Sequence, residues 1–320
     1  MTIDNVDRLQ AALRNGDLSE DLPGMEVSNL PGINVLLMGP AGTGKTDSLG
    51  TLAEISPAVE VFYLGLEPGL ETLLGHYKRR KLPIPKNLHW HSLESAKASF
   101  SDLLDGAKRI NTMSLETLAK TNDPNRSKHN RFIKLLEVLN NFPDDRTGKK
   151  FGCVDEWGPN RILIIDGMAG LARMAMSLVV GNKPVKNVSD WGIAQDQIEK
   201  VINLWTDACK CHFILIAHVE REKDEVLGGI KLMVSTLGAK LAPKLPAMFS
   251  DVILSVREGS KFSWDTANGQ ADVKTRNLAI SAGLTPDFKP IFTSWLSRGG
   301  KFVDTVRDVN SPPEEEDGEA

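Results

Sequence analysis

The stretch "INVLLMGPAGTGKTDSLG", Ile33 to Gly50, decides the fold. It opens as a continuous apolar run of strand length that ends in glycine, and a helical pattern follows Lys45. Between the two, Gly39, Gly44, Lys45 and Thr46 satisfy G-x-x-x-x-G-K-[ST], with Gly42 easing the backbone further. A glycine-rich wrap of this kind aims successive N–H groups at phosphate oxygens. The spacing predicts a phosphate loop built from Gly39, Pro40, Ala41, Gly42, Thr43, Gly44, Lys45, Thr46 and Asp47; a tight strand-to-helix turn is the plainer alternative. In such a loop Lys45 neutralises the β and γ phosphates, Thr46 offers its hydroxyl to Mg²⁺, and the helix start adds its positive end.

Three later segments, "EVFYLGLE", "RILIIDG" and "CHFILIAH", repeat the strand form with helical pattern between them, which predicts an α/β fold on a mostly parallel sheet. The clearest helix is "GIAQDQIEKVINLWTDAC", whose Ala194, Ile198, Val201, Ile202, Trp205 and Cys209 share one face. Asp166 falls at the tip of a buried strand, where a carboxylate needs a partner: Mg²⁺ through water, or else a simple Asp166-Gly167 turn. Glu67 ends another strand before Pro68 and Gly69 and reads as a general base or water-positioner, with a helix cap or ribose contact as the rival. His218 ends the "FILIAH" strand and reads as a sensor of the γ-phosphate or as an ordinary hydrogen-bonding histidine.

With 320 residues, 41% hydrophobic and 25% charged, the chain has the balance of a folded protein with a sizeable core. Its net charge of -4 confines any nucleic-acid contact to a local basic strip. Three cysteines, Cys153, Cys209 and Cys211, are too few for a disulfide framework and suggest a cytoplasmic setting. The longest greasy region, "MAGLARMAMSLVV", is broken by Arg173 and too short to span a bilayer. The pattern divides into a lead-in helix or arm over 1–31, a main α/β domain over 32–305 with a loosely patterned insertion at about 111–160, and an acidic tail over 306–320 that cannot bury itself.

The order of loop, Glu67 strand, Asp166 strand and His218 strand resembles the RecA-like core. More narrowly, "GPAGTGKT", "LGLEPG", "ILIIDGMAGL", the helix opened by "DWG", "LIAHVEREKDEVLGG" and "KLAPKLPAMFSDVI" resemble the bacteriophage RecA-like P-loop ATPases of single-strand annealing and recombination. An arginine-rich kinase lid and an LSGGQ-like signature are both missing from the sequence. The resemblance implies ATP and Mg²⁺ as cofactors, Lys45 and Thr46 as nucleotide and metal residues, Glu67 as catalytic, Asp166 as the second metal contact and His218 as sensor. It also implies late antiparallel strands at one sheet edge, a ring or filament, single-stranded DNA as partner and an annealing or single-strand-binding protein nearby. Cellular recombinases usually carry an amide where His218 stands, so this chain departs from them there.

Two stretches, "SLVVGNKPVKNVSDWG" and "EREKDEVLGGIKLMVSTLGAK", follow strand tips, and their Lys183, Lys186, Lys223 and Lys231 are the candidate DNA contacts or else solvated loop lysines. In "ADVKTRNLAIS" the apolar spacing from Val273 to Ile280 predicts a strand with Lys274 and Arg276 on one face. The resemblance makes that pair a finger reaching a neighbour's γ-phosphate; a solvated edge-strand face is the alternative. A nucleotide-switched assembly or loading factor that binds protein and not DNA is the other function the sequence admits.

Overall fold

The computed structural model describes residues 30–93, 99–123, 126–181, 183–223, 228–238 and 240–302. The lead-in helix and the acidic tail expected from the sequence lie outside these residues, as do 224–227 of the second basic stretch.

Among the described residues nine strands form: β1 (Asn34–Met38), β2 (Glu60–Gly65), β3 (Leu88–Ser92), β4 (Arg161–Asp166), β5 (His212–Ala217), β6 (Val219–Lys223), β7 (Ile230–Val234), β8 (Asp251–Glu258) and β9 (Lys261–Asp265). Seven of them make one sheet in the order β3-β2-β4-β5-β1-β8-β9, while β6 and β7 pair as a separate antiparallel ribbon. Every contact in the large sheet is parallel except β8 with β9, so the expected mostly parallel α/β sheet is present, antiparallel edge included. The helices in chain order are α1 (Lys45–Ser48), α2 (Leu70–Arg79), α3 (Phe100–Thr112), α4 (Leu115–Lys120), α5 (Arg131–Asn140), α6 (Met168–Val180), α7 (Val188–Asn203), α8 (Leu245–Met248) and α9 (Lys289–Ser297).

Strand register positions the site. Gly65 pairs with Asp166, Asp166 with Ile216, and Met38 with Ala217, so the ends of β1, β2, β4 and β5 share one sheet edge. The alternation of the strands fixes that register: Leu36, Phe62, Leu64, Leu163, Ile165, Phe213 and Leu215 join one core with α5, α6 and α7, while their strand neighbours serve the other face. Each such buried side chain is worth about 2 kcal/mol, and a slip by one residue would carry the whole set to the opposite face, against the wrong neighbours. The face predicted for α7 is buried throughout, from Ala194 to Trp205 in the π turn that follows the helix and on to Cys209.

Two parts differ from the sequence pattern. From Arg131 the loosely patterned region is core and not fringe, because Phe132, Leu135, Phe142, Phe151 and Trp157 pack into the main cluster with Phe62 at their centre. The segment expected as a strand from Val273 to Ile280 makes a single antiparallel bridge, Lys274 to Val252, and then coils. The reason is Asp251, which is fully buried and whose carboxylate accepts from Ser250 Oγ, Thr275 Oγ1, Asn277 Nδ2 and the backbone N–H groups of Arg276 and Asn277. Backbone donors used on a carboxylate cannot also serve a strand ladder.

That carboxylate is the tie between β8 and the chain returning past it. Asp251→Ala removes the shared acceptor of the buried Asn277 and its neighbours and is expected to cost about 4 kcal/mol, read as a lowered midpoint at unchanged slope in urea unfolding.

Candidate nucleotide site

β1 delivers the loop. Gly42 and Gly44 stand at φ 74° and 83°, backbone that a side chain strains, and this pair turns the chain around the space above β1. The loop is braced from outside: Ser255 Oγ on β8 donates to Thr43 O at 2.8 Å, and a Cβ at Gly44 would stand 3.2 Å from the Phe262 ring of β9. Thr43 Oγ1 donates to Pro40 O at 2.9 Å from within. Pro40, Ala41 and Gly42 are exposed at the apex, whereas Thr43 and Lys45 are buried. Lys45 folds back, its Nζ donating to Gly39 O at 2.8 Å and Pro40 O at 2.7 Å. Burial lowers its pKa to about 8, against the opposing pull of Asp166 and Glu67.

Asp166, 6% exposed, accepts on one oxygen from Thr46 Oγ1 and Tyr63 OH, both at 3.0 Å. Burial pushes its carboxyl above the usual range, and the two hydroxyls pull it back. Burial, then the charge of Asp166, raises the Tyr63 phenol. Space for the cluster comes from Gly69, where a Cβ would stand 2.6 Å from Tyr63 OH and 2.7 Å from Asp166 Oδ2. Glu67 lies beside them, close against Gly167 and Gly170, and accepts from Arg173 Nη2 of α6 at 2.5 Å.

The remaining predicted residues fall into three groups. His218 follows β5 directly, next to the loop, where Ala217 O accepts from Gly39 N at 3.2 Å and His218 O accepts from Ser235 N at 2.8 Å. Asp47 turns its carboxylate to Arg79 and to His76 Nδ1 at 3.6 Å. Lys274 and Arg276 sit beside Asp251, at the edge where β8 begins, and Lys274 Nζ donates to Ala247 O at 3.2 Å; the fold does not bring them to the loop of their own chain.

Of the candidate DNA lysines, Lys183 pairs with Asp190 at 3.2 Å and Lys231 with Asp272 at 2.9 Å. Lys186 lies over the Trp191 ring, and Lys223 stands exposed on the β6–β7 ribbon. Tyr63, Arg173, Ser255 and Phe262 are the site residues that sequence reasoning missed. A lone phenol in the aliphatic run "EVFYLG" and a lone charge in "MAGLARMAMSLVV" were the available signals for the first two.

No protein-family model matches the chain, and no curated protein matches it. Among solved structures it is similar to a prototypical ATPase from the type III secretion system of pathogenic bacteria, at 12% identity and TM-score 0.34 over 71% of this chain and 53% of that one. It is also similar to the assembled ATPase EscN, solved with its central stalk EscO from enteropathogenic E. coli, at 12% identity and TM-score 0.39 over 77% and 47% of the two chains. The RadB recombinase matches at 11% identity and TM-score 0.36 over 74% and 81%. The chain spans about half the length of the two secretion ATPases. At this level of likeness neither substrate nor partner transfers to it.

Lys45 gives the site a pH signature. A phosphate beside it favours the ammonium form, so above about pH 8 binding takes up a proton and affinity falls as pH rises, by up to about tenfold per unit. Calorimetry of a nucleoside triphosphate in buffers of different ionisation enthalpy should give uptake near zero at about pH 7 and approaching about one proton at about pH 9.

Proposed function

We propose that the chain is a Mg²⁺-dependent ATPase that acts on single-stranded DNA in phage recombination, annealing or replication and works as a ring or filament. The observation that carries the enzymatic part is the convergence of Lys45, Thr46, Asp166 and Glu67 on one sheet edge, with Thr46 and Asp166 in hydrogen-bond contact at 3.0 Å.

In this reading the loop N–H groups and Lys45 take the phosphates, Lys45 exchanging its two loop carbonyls for phosphate oxygens. The donor set suits a hard cation: Thr46 and Asp166 offer oxygen, and among the described residues no cluster of three or more His, Cys, Asp or Glu forms a cage of its own. Mg²⁺ bound there would neutralise charge on the β and γ phosphates. Glu67 orients or deprotonates the attacking water, and His218, next to the loop entry, reports the state of the γ-phosphate to the turn at Ser235. ATP as the nucleotide rests on the resemblance of the motifs. Three free thiols fit a reducing cytoplasm, and among the described residues no helix is long and apolar enough to cross a membrane.

Support for DNA comes from Lys186 with Trp191 and from Lys223, a cation beside an indole and a second cation on an exposed ribbon. Lys274 and Arg276, away from their own loop, remain our candidates for a finger supplied to a neighbouring subunit. A second reading, a nucleotide-switched factor that binds a protein partner, is favoured by α3, which buries none of its residues and leaves Phe100 91% and Leu103 60% exposed.

Lys45→Ala is expected to abolish nucleotide binding, whereas Glu67→Gln keeps binding and lowers turnover by roughly a hundredfold. Equal loss of binding in both would remove Glu67 from the chemistry. ATP turnover with and without single-stranded DNA at low and moderate salt, read beside DNA binding, separates the two functions: stimulation by DNA supports the first, and indifference in a chain that binds no DNA the second.

Mixing supplies the test of the finger. Arg276→Ala and Glu67→Gln subunits, each nearly inactive alone, should regain turnover in mixed assemblies, and no recovery in assemblies shown to be mixed would leave a self-sufficient site.

A further inference from the structure

A cavity of about 400 Å³ opens beside the site, between α6, the start of α7 and the turn after β7. Its lining includes Arg173, Ser177, Lys186, Trp191, Ser235 and Thr236. The Lys186 ammonium stands 5.8 Å from the centroid of the Trp191 ring, and Trp191 is 36% exposed. Thr236 Oγ1 is buried without a hydrogen-bond partner, which is unfavourable until something supplies one. Two cations, an accessible indole and hydroxyls with spare capacity match the chemistry of one nucleotide unit of a single strand, phosphate on the cations and base on the ring.

Arg173 belongs to two places at once. It lines the cavity, and its Nη2 donates to Glu67 Oε1 at 2.5 Å. Its side chain is 62% exposed while that of Glu67 is 18% exposed, so the arginine can leave the pair far more readily than the carboxylate can. An arginine–carboxylate pair this open to water is weak. A nucleic-acid phosphate offers the same guanidinium a two-pronged partner and releases counterions as it binds. The cavity is also tied to the tip of β5, since Ser235 N donates to His218 O.

We propose that Arg173 is a latch: with no nucleic acid bound it holds Glu67 away from the attacking water, and a phosphate of single-stranded nucleic acid entering the cavity draws it off. The inference rests on the ATPase and DNA reading above and adds to it the residue that would make hydrolysis depend on the strand. Arg173 is a positioning residue, acting through Glu67. The coupling is reciprocal, so whatever frees Glu67 on strand binding must equally make the strand bind better once Glu67 no longer competes for the arginine.

The test uses the full chain, with a thymidine homo-oligonucleotide as the probe. Arg173→Ala is expected to raise turnover without oligonucleotide by roughly fivefold at unchanged KM for ATP, and to lose most of the further stimulation that oligonucleotide gives the wild type. Arg173→Lys should restore part of both. Glu67→Gln, read by fluorescence anisotropy without ATP, should bind the oligonucleotide roughly fivefold more tightly than wild type, and this measurement decides the matter if Arg173→Ala does not fold. Unchanged or lowered turnover in Arg173→Ala at the wild-type thermal midpoint overturns the latch, as does unchanged affinity in Glu67→Gln. Wild type that binds oligonucleotide with no response in turnover overturns the latch and leaves the DNA reading standing; wild type that binds none overturns both.

Discussion

Asp166 ends a strand buried along its whole length, and a carboxylate there is costly unless hydroxyls or a cation compensate it. The sequence meets this with Thr46 from the loop helix and Tyr63 from β2, so one oxygen atom ties together three segments far apart in the chain. Glycine at position 69 is part of the same solution, because the two oxygens leave no room for a Cβ there. The parallel register then carries the constraint outward: with Asp166 level with Gly65 and Ile216, the loop at the end of β1 and Glu67 at the end of β2 have nowhere else to be.

Much of this was legible in the sequence because it depends on local rules. The glycines of "GPAGTGKT" are dictated by backbone sterics, the apolar runs by burial on both faces of a parallel sheet, and the face of α7 by helical period. Asp166, Glu67 and His218 could be singled out because each is polar where an apolar run stops.

The rest depended on contacts between distant residues. β3 carries His89, Trp90 and His91 in place of an aliphatic run, and its histidines find Asp144 and Asp145 across the sheet edge, pairings that periodicity cannot express. The segment after Val273 has strand-like spacing, yet the buried carboxylate of Asp251 takes its backbone donors. Lys183 and Lys231 look like free loop lysines in the sequence and are given carboxylate partners by the fold. Arg173 looked like an interruption of an apolar helix; its meaning appears only once Glu67 is placed opposite it.

The folded-back Lys45 has a thermodynamic consequence for the loop itself. Its ammonium donates to the Gly39 and Pro40 carbonyls, so the loop is tied across its own turn by an internal contact. On the reading proposed above, a phosphate at Lys45 would exchange one set of acceptors for another and would not have to order the chain, so little conformational entropy would be lost at the binding step. Intrinsic affinity would then be a difference between two satisfied states, and on that reading the free energy of association could bias other elements, above all those that touch Glu67 and the tip of β5.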